Sequence, residues 1–174
     1  FGHRLAPLSE KEKSMPKLAS QPVTLNCPVC GGPIQAEVHS LIDVGLEPEL
    51  KGQLLRGQVN AARCTSCGSE GIIAAPLMYH DPEKELLLVL VPPEAQLSDQ
   101  EQQQMIGQFT NVVMSYLPPE KRKGYLLVPK VMLSYQSLLE TILRGEGITP
   151  DMIAAQQARL DLVDRLLGAL PDND

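Results

Sequence analysis

Aromatic side chains are scarce in this chain of 174 residues, which contains no tryptophan, two phenylalanines and four tyrosines. Proteins that bind single-stranded nucleic acids without sequence preference stack successive bases on aromatic side chains. The composition therefore argues against a base-stacking platform.

Basic residues are also few in the middle of the chain. The formal net charge is −6, and residues 64–117 contain one basic residue, Lys84, against seven acidic residues. Such a surface repels the phosphate backbone of nucleic acids. Lys121, Arg122 and Lys123 form a short basic cluster, but they follow Glu120 in a segment typical of a solvated loop. We do not expect strong nucleic-acid binding.

Long apolar runs and several catalytic motifs are missing. The chain has no run of about 18 apolar residues that would span a membrane and no secretory hydrophobic region. It also lacks a phosphate-binding glycine loop, a nucleophile elbow and an HExxH helix. These absences favour a non-enzymatic protein without membrane spans, and we expect it in the cytoplasm.

Cysteine is the informative residue type. The only four cysteines form two CxxC pairs, each followed at once by a glycine: Cys27, Cys30 and Gly31, then Cys64, Cys67 and Gly68. Two intervening residues allow a tight turn to aim both sulfurs at one point, and glycine tolerates the positive φ that such a turn needs. Four thiolates in a closed tetrahedron suit a structural Zn²⁺ ion. The sequence therefore predicts one zinc site.

Three other uses of the cysteines fit parts of the pattern. Iron of the rubredoxin type takes the same four ligands, so the spacing does not separate it from zinc. A thioredoxin-like redox pair would place one CxxC at the start of a helix in a βαβ pattern, whereas both pairs here lie in predicted hairpin turns. Structural disulfides would require an oxidising compartment.

The hydrophobic pattern predicts an α+β fold in which a zinc-ribbon-like antiparallel sheet carries a C-terminal helical part. We expect a flexible lead-in over residues 1–20, a metal-centred domain over 21–95, and a helical extension over 96–174 that packs on it. Alternating residues predict hairpin strands around both cysteine turns, and residues 72–79 and 86–91 are expected to extend the same sheet. A short helix is predicted between the turns, over residues 48–56.

Three further helices are predicted after residue 98. Ser98 and Glu101 form a capping box that opens the first, and two prolines end it at residue 118. The second covers residues 134–144, and the third begins at Thr149 and Pro150. The segment 125–131 is apolar. The spacing of its apolar residues fits both a strand and an irregular segment that lies on the core.

The last predicted helix carries apolar residues at a and d spacing over almost three heptads. Its stripe includes Ile153, Leu160, Val163, Leu167 and Leu170. One interpretation is that the stripe packs on the protein's own helices. The others are self-association through it, which the length of the helix favours, and binding to a groove of another protein.

The segment Tyr79-His80-Asp81 suggests enzyme chemistry because a histidine next to an aspartate can act as a base or bind a metal. Neighbouring residues on a strand, however, point to opposite faces of the sheet. Pro82 favours a turn that starts at Asp81, with His80 as a hydrogen-bonded anchor at the end of the strand. Contact with a small ligand or a partner is the second interpretation, and catalysis is the third.

These residues resemble a known family. The segment from Asn26 to Gly31, the helix-bearing spacer, the second cysteine turn and the segment from Leu77 to Pro82 are similar to the CpXC domain, a bacterial and archaeal module named for its cysteine motif. The resemblance covers about residues 22–130. The second turn lacks the proline of the motif. The resemblance implies a metal-binding domain of unknown biochemical role, and it supplies no catalytic residues.

The sequence as a whole predicts a non-enzymatic interaction or assembly module with one structural zinc ion. Two alternatives stay open: a transcription-related zinc-ribbon protein that binds nucleic acid or polymerase, and an enzyme centred on Tyr79, His80 and Asp81.

Overall fold

The computed structural model describes residues 20–168, and their side chains except those at positions 160, 161 and 163–168. Eight strands and four helices follow one another in this part of the chain. They are β1 (Ser20–Asn26), β2 (Pro33–His39), β3 (Leu41–Asp43), α1 (Pro48–Leu55), β4 (Ala61–Arg63), β5 (Glu70–Ile72), β6 (Leu77–Asp81), β7 (Leu86–Leu90), α2 (Asp99–Tyr116), β8 (Lys130–Met132), α3 (Tyr135–Gly145) and α4 (Pro150–Gly168). The predicted α+β class is confirmed. The lead-in expected over residues 1–20 lies, except for Ser20, outside the described residues.

Two antiparallel hairpins carry the cysteine turns. β1 pairs with β2 from Ser20 opposite His39 to Asn26 opposite Pro33. β4 pairs with β5 from Ala61 opposite Ile72 to Arg63 opposite Glu70. Each hairpin forms a two-stranded sheet of its own.

The strands after residue 76 do not extend the hairpins, and this part of the sequence interpretation is wrong. β6 and β7 belong to a separate four-stranded sheet in the order β3-β6-β7-β8. This sheet is mixed, since β6 and β7 are antiparallel whereas β3 runs parallel to β6 and β8 parallel to β7. Pro76 lies between β5 and β6. A strand that continued from β5 into β6 would need a backbone amide donor at this position, and proline has none.

The four-stranded sheet is buried on both faces, and all five residues of β6 are buried. Helices α1 and α3 cover one face, where Leu54, Leu138 and Ile142 pack around Tyr79. Helix α2 covers the other face with Phe109 and Val113. Burial on both sides explains why β7 is a continuous apolar run, Leu-Leu-Leu-Val-Leu, rather than an alternating one.

The helices after residue 98 begin close to the predicted positions. Ser98 and Glu101 form the expected capping box of α2, and Ser134 caps α3. The undecided segment 125–131 contains the end of a 3₁₀ turn, Gly124–Leu127, and the start of strand β8. The sheet therefore draws strands from both sides of the predicted boundary between residues 95 and 96.

Helix α4 differs from the others in burial. Every described side chain from Asp151 to Arg159 is exposed. Met152 and Leu162 are more than half exposed, and Ile153 is 38% exposed. An amphipathic helix normally buries its apolar face, and the described part of α4 does not.

We predict that Ile142→Ala, which removes a side chain only 1% exposed, lowers the free energy of unfolding by about 2–5 kcal/mol. The control Leu127→Ala, at a side chain 71% exposed, should change it by no more than about 0.5 kcal/mol. Urea unfolding followed by tyrosine near-ultraviolet circular dichroism measures both. Equal effects of the two changes would contradict the packing of α3 on the sheet.

Candidate metal centre

The two cysteine turns have the same backbone structure. In the first, the amide of Cys27 donates to the carbonyl of Gly32 and the amide of Gly31 to that of Cys27, both at 2.8 Å. In the second, the amide of Cys64 donates to the carbonyl of Ser69 and that of Gly68 to Cys64, again at 2.8 Å. Gly31 and Gly68 have φ of 73° and 75°. Left-handed backbone at these positions is what the sequence pattern required.

The turns face each other and bring the four sulfurs together. All four Sγ atoms lie within 4.8 Å of one another. The Sγ atoms of Cys27 and Cys67 are 3.6 Å apart, and those of Cys30 and Cys64 are also 3.6 Å apart. A tetrahedral ion with metal–sulfur bonds of about 2.3 Å has sulfur–sulfur edges of about 3.8 Å. The cluster therefore has the size needed to hold one metal ion.

The fit between the turns is close. A Cβ added to Gly32 would lie 3.1 Å from Oγ of Ser66 and 3.4 Å from Sγ of Cys30. A side chain at Gly32 would therefore press on the tip of the opposite turn. Cys27 and Cys64 are buried, whereas Cys30 and Cys67 are exposed, so the cluster lies at the surface with one side open to solvent.

Hydrogen-bond donors favour the thiolate form of Cys27 and Cys67. The amide of Gly32 lowers the pKa of Cys30, but contacts with the other three sulfurs outweigh it and raise that pKa to about 12. The hydroxyl of Ser69 lies 3.3 Å from Sγ of Cys27. Together with the backbone amides of Cys30 and Val29, it lowers the pKa of Cys27 to about 6. The side chain and the amide of Ser69 also lower the pKa of Cys67. Because metals bind thiolates rather than thiols, these donors prepare Cys27 and Cys67 to bind a metal ion.

Ser69 is a functional residue that sequence reasoning missed. It stands two residues after Cys67 and one after Gly68, so its backbone follows directly from the glycine turn. A hydroxyl in the position after the CxxCG motif was the available signal. The first turn has Gly32 in the corresponding position, and only the second turn supplies a hydroxyl there.

Of Tyr79, His80 and Asp81, the histidine lies apart from the other two. His80 extends from β6 towards α2, where its network includes Tyr116, whereas Tyr79 and Asp81 extend to the face covered by α1 and α3. This separation follows from strand geometry, in which successive side chains alternate between faces. Two different polar networks result, one on each face.

The network on the α2 face is centred on Asp43, the residue opposite His80 in the parallel pair β3–β6. Nδ1 of His80 lies 2.6 Å from a carboxylate oxygen of Asp43, and the hydroxyl of Tyr116 donates to the same oxygen. Nε2 of His80 lies 2.8 Å from the hydroxyl of Tyr125. Burial raises the pKa of Asp43, but the hydrogen bonds from His80 and Tyr116 outweigh this effect and hold the pKa below its usual value.

The network on the opposite face is centred on Asp81. Nζ of Lys51 in α1 donates to Asp81 at 2.9 Å and also pairs with Glu146, which follows α3. The hydroxyl of Tyr79 donates to Asp81 at 3.2 Å. Burial raises the pKa of Asp81, and the hydrogen bonds from Lys51 and from the amide of Lys84 reverse that shift, so the pKa is lowered.

Both networks join helices to the end of β6, and each buried polar group in them has a partner. The amides of Glu83 and Lys84 donate to Asp81 at 3.1 Å, which forms the turn after the strand. Sequence reasoning missed Asp43, Tyr116, Tyr125 and Lys51 as partners. These four residues belong to other parts of the chain, so the sequence of residues 79–81 alone does not identify them.

The predicted self-association stripe is only partly described. Ile153 lies on the exposed part of α4. Leu160, Val163 and Leu167 belong to α4, and the structure describes their backbone but not their side chains. Leu170 lies outside the described residues. Among residues 20–168, no helix combines the length and the apolar character that a membrane crossing requires.

We predict that Asp43→Asn lowers the free energy of unfolding at neutral pH by roughly 1–3 kcal/mol, because it replaces a buried charged acceptor. The folded pKa of Asp43 is lowered, so its contribution is complete above the unfolded carboxyl pKa and is lost as the pH falls through the folded value. The variant should therefore lose less stability than the wild type between about pH 5 and pH 3.

The measurement is urea unfolding at a series of pH values, followed by tyrosine circular dichroism. All four tyrosines lie in the four-stranded sheet or its covering elements. Glu94→Gln, at an exposed carboxylate, is the control and should keep the slope of the wild type. An unchanged slope in Asp43→Asn would show that Asp43 contributes nothing to the acid sensitivity.

Comparison with known proteins places the chain in a family. The model of the family described as CpXC protein matches residues 25–156, which contain all four cysteines and both polar networks. No curated protein and no solved structure matches the chain. Because the match covers most of the chain, from the first hairpin into α4, this protein belongs to the CpXC family.

Proposed function

We propose that the chain is a non-enzymatic interaction and assembly module whose hairpins are held together by one structural zinc ion. The observation that carries the proposal is the cluster of four sulfurs, all within 4.8 Å of one another. Four cysteine ligands fill a tetrahedral ion and leave no position for water or substrate, which is typical of structural zinc sites. Rubredoxin-type iron is the competing metal, and the metal content of the purified chain separates the two.

The hairpins depend on this metal because they have hardly any core of their own. The buried residues between them are Cys27, Ile34 and Cys64, with Ala62 partly buried against them. So few apolar side chains cannot offset the loss of chain entropy in two hairpins. Metal binding supplies folding free energy directly in small metal-braced domains.

We predict that chelation of the metal, or Cys64→Ser, unfolds both hairpins. The exposed Thr65→Ser in the same turn is the matched control and should behave as the wild type. Amide hydrogen exchange should rise by orders of magnitude over residues 22–39 and 59–72, where the hairpins lie. Unchanged thermal stability and exchange after chelation would count against a structural metal.

The assembly role is assigned to α4. This helix has 19 residues. It exposes three apolar side chains to solvent: Met152, Ile153 and Leu162. The a and d spacing of the sequence continues beyond the described side chains. A second copy of the same helix would cover such a stripe by coiled-coil packing. We therefore propose that the chain self-associates through α4.

We predict that removal of residues 150–174 reduces the solution mass measured by light scattering to that of a monomer. Ile153→Glu, in the stripe, should weaken association, because it introduces a charge at an a position. The control Ala158→Glu adds the same charge at the exposed f position of the same heptad and should leave association unchanged. Identical masses for the full chain and the shortened chain would remove the idea of self-association.

The geometry of Tyr79, His80 and Asp81 supports a structural role for them in this proposal. Their side chains lie on two faces of the sheet, His80 and Asp81 are held by partners from other elements, and Tyr79 donates to Asp81. A four-cysteine metal site needs a compartment that keeps its thiols reduced, so we propose that the protein works in the cytoplasm.

A further inference from the structure

Within the cluster of four sulfurs, two contacts each join one exposed and one buried cysteine. Exposed Cys30 lies 3.6 Å from buried Cys64, and exposed Cys67 lies 3.6 Å from buried Cys27. Both pairs cross from one hairpin to the other. The two sulfurs of each CxxC motif also lie within 4.8 Å of each other, so the experiment must distinguish bonds between hairpins from bonds within a motif.

We propose that the cluster is also a modification site for hydrogen peroxide, which links Cys30 to Cys64 and Cys67 to Cys27 and thereby releases the metal. The release of metal rests on the proposed zinc site. The exposed sulfur of each pair reacts first, because peroxide reaches it from solvent. The buried sulfur then completes the disulfide.

Each disulfide forms in two steps that balance. The thiolate of Cys67 attacks one oxygen of hydrogen peroxide, the oxygen–oxygen bond breaks, and a sulfenic acid and a hydroxide ion result. The thiolate of Cys27 then attacks the sulfenic sulfur, a sulfur–sulfur bond forms, and a second hydroxide ion leaves. Two electrons pass from the two sulfurs to peroxide. Cys30 and Cys64 consume a second molecule of peroxide in the same way.

The movement required is small. Two sulfurs at 3.6 Å must approach to about 2.05 Å. Once disulfides form, no thiolate is left to bind the metal, so the ion dissociates. Because both bonds run between the hairpins, they replace the metal as the connection between them, whereas disulfides within each CxxC would leave the hairpins unconnected.

The pairing can be measured on the full chain because of the positions of its basic residues. Trypsin cuts after Lys17, Lys51, Arg63 and Lys84. Cys27 and Cys30 therefore fall in peptide 18–51, and Cys64 and Cys67 fall in peptide 64–84. Disulfides between hairpins join these two peptides into one species, and disulfides within a CxxC motif leave them separate.

The experiment treats the metal-loaded chain with hydrogen peroxide, blocks remaining thiols by alkylation, and analyses the digest by mass spectrometry. A metal-sensitive dye records release in parallel. We expect the joined species, its loss on reduction, and release of the bound metal in step with disulfide formation. Methionine oxidation adds oxygen but joins no peptides, so it does not interfere.

A second arm uses Cys30→Ser, which removes one exposed sulfur. Because the variant also lacks one of the four ligands, its hairpins should unfold as in Cys64→Ser, and the joined species should fall several-fold relative to the wild type. A joined species at the yield of the wild type would show that the pairing does not depend on the folded cluster and would overturn the inference. Fragmentation of the joined species of the wild type assigns each bond.

The outcomes separate this inference from the proposed function. Separate peptides that each contain an internal disulfide would overturn the pairing, and full retention of metal and free thiols under peroxide would overturn the modification site. A purified chain that holds no zinc would contradict the proposed function and the release of metal together. Joined peptides from that same sample would nevertheless support the pairing.

Discussion

The contact between the two cysteine turns is the constraint on which the N-terminal part of this structure depends. The hairpins β1–β2 and β4–β5 are separate two-stranded sheets, and isolated two-stranded hairpins are marginally stable in water. Their shared core amounts to little more than Ile34 beside two cysteines. Convergence of the sulfurs therefore fixes one hairpin relative to the other, together with the buried side chain of Asn60, which accepts from the amide of His39 at 2.7 Å and donates to its carbonyl at 3.0 Å. The spacer between the turns also belongs to the main sheet, through β3, so this contact connects distant parts of the chain.

The four-stranded sheet is stabilised by a different kind of interaction. Its two faces bury apolar side chains from α1, α2 and α3, and two polar networks meet at the end of β6. Asp43 and Asp81 are buried carboxylates, and a buried charge is tolerated only when hydrogen bonds and opposite charges compensate for lost solvation. His80 and Tyr116 supply this compensation on one face, and Lys51 supplies it on the other. His80 and Asp81 therefore connect β6 to the helices on both faces of the sheet.

Local patterns predicted much of this arrangement. The CxxCG spacing predicted the positive φ of Gly31 and Gly68, because only a few backbone shapes bring two sulfurs to one point. Ser98 with Glu101 predicted the start of α2, because capping is a contact between residues three apart. The alternation of side chains along a strand predicted that His80 and Asp81 would not pair. In each case the cause lies within a few residues of sequence.

Features set by long-range contacts do not follow from local patterns. Residues 72–79 have the composition of a continued hairpin strand, but pairing partners are chosen by the whole chain, and Pro76 separates two sheets. The parallel neighbours of β6 and β7 come from residues 41–43 and 130–132, segments too short to show a period. Asp43 is 37 residues from His80 in the sequence, so no local pattern could identify it as the partner.

The two parts of the structure respond differently to chemical conditions because different interactions stabilise them. The sulfur cluster is open to solvent on the side of Cys30 and Cys67, and its donors lower the pKa of Cys27 and Cys67. The networks of Asp43 and Asp81 are enclosed by helices and depend on carboxylate charge. Loss of a metal would therefore act first on the hairpins, whereas acid would also act on the attachment of the helices to the sheet. Because the sulfur cluster is separate from the apolar core, loss of the metal can unfold the hairpins while the four-stranded sheet stays folded.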